Sequence, residues 1–142
     1  MSVVKSHRGE SNMEFIDTAR KIEEFTFSCC MKTPKRYSAF LTSDLMQLAS
    51  RVHSYVIMAN SIYVNNQEEA RLRRSYFTKA NACLQAMNPK ISLLYSMMTK
   101  NYPDRKWIHN AMKEWGAMMV KEASLISAIK KREQERYKNL KE

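Results

Sequence analysis

Three arginines within one helical turn, Arg71, Arg73 and Arg74, form the densest concentration of fixed positive charge in the chain. Guanidinium groups grip phosphates and carboxylates through a planar fork of N–H donors, so the chemistry to expect here is recognition of anions. Spread over one turn, the three point to different sides of a helix and do not form a single stripe. Lys79 lies further along the same segment, and Arg51 is on the outer face of the preceding one. A second group, Lys35, Arg36 and Tyr37, sets two cations beside an aromatic ring that can stack on a base or on another guanidinium. These eight residues are the candidate contacts to nucleic acid or to an acidic protein surface. Each also has a plainer reading, since basic loops and solvated helix faces are common on helical proteins. Arg73 is the sharpest case: it falls on an inward stripe, where it either reaches water at the end of the helices or lines an opening between subunits.

Little else has the makings of chemistry. His7, His53 and His109 lie in three separate segments, no HExxH occurs, and two glycines cannot build a phosphate-cradling loop. Cys29, Cys30 and Cys83 have neither disulfide-framework nor metal-ligand spacing, so they read as reduced and structural. The expectation is a protein with no cofactor, no metal and no enzymatic activity. Its charge is more telling: 24 Lys and Arg against 14 Asp and Glu give a net charge of +10 over 142 residues. Between Ala70 and Lys113 nine bases face one acid, Asp104. Such a field attracts phosphate backbones or acidic surfaces.

Helices must position these groups. Two glycines and three prolines are too few for a sheet with many turns, and the length suits one domain that buries roughly two-thirds of its unfolded surface. Residues 1–10 show no periodicity and are expected as an extended or mobile arm. Ser11 and Glu14 form a capping-box pattern that opens a helix over about 12–31, with Phe15, Ala19, Ile22, Thr26 and Cys30 inward. Pro34 breaks the pattern, so Lys32–Phe40 reads as a loop. Thr42 or Ser43 caps a second helix, about 43–60, with Leu45, Ala49, Val52 and Val56 inward. Asn65 or Asn66 caps a third, about 67–99, where Phe77, Ala80, Leu84, Met87, Ile91, Leu94 and Met98 keep one seam in phase across Pro89. That favours one kinked helix over two. Pro103 and Asp104 stop one helix and cap the next, about 105–137, with Ile108, Ala111, Trp115, Met118, Leu125 and Ile129 inward and Glu122 interrupting them. The polar end of that helix is expected in solvent or on a partner, with 138–142 as a tail. The expected fold is all-α, an antiparallel up-down-up-down four-helix bundle. No apolar run of about 20 residues and no secretory pattern is present, so a cytoplasmic protein off the membrane is expected.

The run PKRY at Pro34–Tyr37, then ANSIY at Ala59–Tyr63, then spaced Asn66, Glu69 and the Arg73–Arg74 pair resembles the accessory variability determinant proteins of diversity-generating retroelements. Proteins from intervening sequences of ribosomal RNA genes belong to the same broader group. The likeness covers about Glu14 to Ile129. It implies a non-enzymatic four-helix bundle that assembles as a homopentameric barrel and binds a reverse transcriptase and its template RNA for mutagenic cDNA synthesis. Carried over residue by residue, it implicates Lys35, Arg36, Arg73 and Arg74. Pro89 and the C-terminal extension depart from the pattern. The alternative is a basic RNA- or protein-binding bundle outside a retroelement, as in the ribosomal group, and a third class is an enzyme or small-molecule binder.

Overall fold

The structure, a computed structural model, describes the backbone from Ser2 to Glu142 and the side chains from Met13 onward. It is all-helical, with no strand among the described residues. Four long helices, α1 (Ser2–Met31), α2 (Ser43–Asn60), α3 (Gln67–Asn101) and α4 (Trp107–Arg136), carry the fold. Packing runs α1 on α2, α2 on α3, α3 on α4 and α4 on α1, so the four enclose one core.

The α3 seam is buried at every expected position, from Phe77 to Met98. Phe15 meets Phe77 edge-on at 5.4 Å, and Phe25 meets Trp115 edge-on at 5.6 Å. The Trp115 indole N–H donates to the Thr26 hydroxyl at 2.9 Å, which gives a buried polar atom the partner it needs. Helix α3 begins as its sequence requires: the Asn66 side chain accepts the Glu69 N–H at 2.8 Å, and the Glu69 carboxylate accepts the Asn65 N–H at 2.9 Å. It passes Pro89 as one helix.

Several expectations need correction. Helix α1 starts at Ser2, so the backbone of residues 2–10 is helical and not an extended arm, and Ser11 lies inside the helix instead of capping it. No proline stands in that stretch, and extending an existing helix is far easier than nucleating one. The loop after Pro34 is a 3-10 turn (Lys35–Tyr37) followed by a π turn (Ser38–Thr42) that runs straight into α2. Proline's fixed φ of −58° suits the entry to a helical turn, and because Thr42 is already helical it makes no side-chain cap. Helix α4 starts at Trp107, after Lys106, and Asp104 does not cap it. On α4, Met119 and Ile126 are buried where Met118 and Leu125 were expected. Both choices have the same mean helical spacing over Trp115–Ile129, and the packing against the other helices decides between them.

Glu122 is buried, 0% exposed, and neither carboxylate oxygen has a hydrogen-bond partner. Burial pushes its carboxyl up to about 8 from an ordinary 4.5, with Lys121 opposing the shift and Glu14 adding to it. The folded state therefore holds a proton that the unfolded chain releases. Stability is full below the unfolded pKa and falls as pH rises towards the folded one, by about 1.4 kcal/mol per pH unit. Replacing Glu122→Gln should flatten urea-denaturation stability between pH about 4.5 and 8. A variant that keeps the wild-type slope would show that another group causes it.

Candidate nucleic-acid interface

The residues that sequence reasoning singled out divide into four places. Tyr37 is buried and belongs to the core edge, where its hydroxyl accepts from the Asn101 side-chain amide at 3.1 Å. The expectation that it stacks on a base is corrected, because its ring meets Tyr102 edge-on and is covered by Arg36. Arg36 sits 5.2 Å over Tyr102, Arg105 sits 4.6 Å over the same ring, and Lys32 lies 5.4 Å over Trp107. Lys35 is exposed beside this stack. Arg51 and Lys79 are exposed on α2 and α3, and Lys79 lies 5.5 Å over Tyr76, which stacks on Tyr55.

Arg73 is mostly buried and engaged within the chain. Its guanidinium pairs with Glu133 at 2.8 Å, donates to the carbonyl of Ala59 at 2.9 Å and covers Phe77 at 5.3 Å. It thereby joins the C-terminal end of α2, the start of α3 and the end of α4. A cation suits the carbonyl end of α2, where the helix dipole is negative. With its donors so engaged, Arg73 acts as a structural residue within the chain.

The same corner holds the C-terminal tail, expected in solvent or on a partner. Instead the Gln67 amide donates to the carbonyls of Tyr137 and Leu140 at 2.6 and 3.0 Å, and the Gln67 backbone N–H donates to the backbone carbonyl of Lys141 at 2.8 Å. The first N–H groups of a helix lack partners within it, and the returning chain supplies one. Arg71, exposed, pairs with Glu142 at 3.0 Å.

This arrangement makes a groove between α3 and α4 that no single segment announces. One part is a cleft of about 200 Å³ whose lining includes Ala70, Arg71, Arg74, Phe77, Lys130, Glu133, Tyr137 and Lys138. A shallower hollow of about 310 Å³ continues from it past Arg74, Asn81, Ser127, Lys130 and Lys131 and contains no carboxylate. Arg74, Lys130 and Lys131 make no ion pair among the described residues, while Glu133 is already held by Arg73. Of the candidate arginines, then, Arg71 and Arg74 reach this groove. Lys130, Lys131, Gln134 and Tyr137 were missed as site residues because Glu133 and Glu135 are interleaved with the tail bases in sequence. Their signal was the helical spacing of Ala123, Ser127, Lys130, Gln134 and Tyr137.

The cysteines and the described histidines lie apart from the groove. Burial raises the Cys29 and Cys30 thiols to about 11 and about 12 and so keeps them protonated. His53 contacts Glu23 at 3.1 Å and His109 contacts the Tyr95 hydroxyl at 2.8 Å, on different helix pairs. His7 lies outside the described side chains. Among the described residues no cluster of His, Cys, Asp or Glu could hold a metal ion, and no helix is long and apolar enough to cross a membrane. Comparison with protein families, curated proteins and solved structures finds no match to the chain.

Two neighbouring arginines should therefore respond oppositely. Arg73→Ala strands Glu133 and loosens the tail, and should lower stability by about 2 kcal/mol. Arg74→Ala should stay within about 0.5 kcal/mol of wild type. Chemical denaturation of both variants checks this, and equal losses would contradict the assignment.

Proposed function

We propose that the chain is a non-catalytic accessory subunit of a diversity-generating retroelement that binds the reverse transcriptase and template RNA to support mutagenic cDNA synthesis. It works in the cytoplasm, as an antiparallel up-down-up-down four-helix bundle assembled into a homopentameric barrel. The bundle topology is supported by contacts between elements: Cys30 with the carbonyl of Thr42, Tyr55 with Tyr76, and Gln67 with the carbonyl of Lys141.

One observation carries the nucleic-acid part of this reading: Arg74, Lys130 and Lys131 line a continuous groove in which the single carboxylate is already paired. An unneutralised row of cations is unfavourable by itself and is relieved by a polyanion. The resemblance through PKRY, ANSIY and the arginine pair supplies the reverse transcriptase and the retroelement. A second reading, an RNA-binding bundle outside a retroelement, is favoured by how the implicated residues are placed. Arg73 is engaged internally, and Arg36, on Tyr102, lies about 40 Å along α3 from Arg74.

Native mass spectrometry should find an oligomer, and fluorescence anisotropy should find RNA binding with little sequence preference. Three groove cations imply a log–log salt slope near −2, so affinity should fall roughly 20-fold between about 50 and about 200 mM salt. The Arg74→Glu, Lys130→Glu, Lys131→Glu variant should lose most of that binding. A monomer at micromolar concentration with no RNA shift at low salt would contradict the proposal. RNA binding without copurification of a reverse transcriptase from the same locus would leave the second reading.

A further inference from the structure

The cleft between α3 and the end of α4 has an apolar floor as well as a charged rim. Ala70 and Tyr137 contribute to its apolar lining above Phe77, which is itself fully buried, and Arg74 and Lys130 line the same cleft. Phosphates alone would not need that floor, since a polyanion held by charge lies on a flat basic surface. A purely apolar ligand would not suit the rim, where cations would lose hydration without gaining an anion. A nucleotide combines both demands in one molecule, with flat faces that stack on aromatic rings and phosphates that pair with cations.

We infer that this cleft takes one unpaired base of a single nucleic-acid strand, with the neighbouring phosphates on Arg74 and Lys130 and the strand continuing along the hollow past Lys131. The inference rests on the nucleic-acid reading above and specifies its ligand. Three features of the structure argue for a single strand over a duplex. The cleft, about 200 Å³, is of the size of one base and far smaller than a helix of paired bases. The faces of paired bases are covered by their neighbours, so a duplex offers the Tyr137 wall nothing to stack on. The hollow is a continuation and not a second pocket, since Arg74, Lys130 and Gln134 line both parts, and a flexible backbone can follow it. Polar groups for the base edge are present in the Gln134 amide and the Glu133 carboxylate, whose ion pair with Arg73 fixes it in place.

The wall is also held independently of its own ring. Gln67 bonds the backbone carbonyl of Tyr137, not its side chain, so removing the ring leaves the tether in place. This allows a clean test on the full chain by fluorescence anisotropy, using a labelled RNA strand of about 12 nucleotides and the same strand annealed to its complement. The wild type should bind the strand about tenfold more tightly than the duplex, and Tyr137→Ala should remove about tenfold from strand binding alone. Tyr137→Phe, which keeps the ring, should bind like wild type. Arg74→Gln with Lys130→Gln should weaken both probes. Equal binding of strand and duplex, or equal loss on both with Tyr137→Ala, would overturn this inference and leave the nucleic-acid reading standing. Failure of both probes to bind the wild type at low salt would overturn that reading and this inference together.

Discussion

One guanidinium holds together the corner of the molecule on which the groove depends. Arg73 sits on the inward stripe of α3, where an aliphatic side chain would ordinarily pack, and turns that position into a junction of three helices. Its bond to the Ala59 carbonyl closes the end of α2, and its pair with Glu133 draws in α4. The pair is only 15% and 17% exposed, so its strength is less diluted by water than that of a surface pair. Because Glu133 is engaged there, it is not available to Arg74, Lys130 and Lys131, which make no ion pair among the described residues. Local stability and the positive groove thus have the same origin.

Glu122 is the contrasting case. Both it and Arg73 interrupt an apolar seam, and sequence alone treats them alike. Arg73 is near a helix end, where carbonyls and a carboxylate come within reach. Glu122 is in mid-helix, surrounded by the core, with no donor for either oxygen. A buried carboxyl without a partner is held neutral, and in that form it behaves more like a glutamine than a charge. The same kind of breach in the pattern therefore has opposite electrostatic outcomes, decided by position along the helix.

The core was legible wherever one periodicity dominated. All seven α3 seam residues from Phe77 to Met98 could be read from their three-four spacing, and the cap of α3 could be narrowed to Asn65 or Asn66 from residue type, of which Asn66 makes the bond. Reading failed where neighbours were equivalent or the partner was remote. Met118 and Met119 are both apolar, so spacing could not choose between them, and only the packed structure does. The tail looked like a solvated helix because its glutamates and lysines balance locally. Its true partners, Gln67 and Arg73, are about 60 residues or more away in sequence and gave no local sign. Tyr37 misled for a similar reason: its basic neighbours suggested exposure, while the turn it occupies directs the ring inward.

The junction between Gln67, Arg73 and the returning tail also orders events during synthesis. A ribosome makes the start of α3 long before Glu133 and Lys141 emerge, so the nascent chain carries Arg73 with no carboxylate to receive it and Gln67 with no carbonyls to hold. Three helices can begin to associate through their apolar faces in that interval, but the basic corner stays open. The groove between α3 and α4 therefore closes only after the segment that forms its far wall has been made.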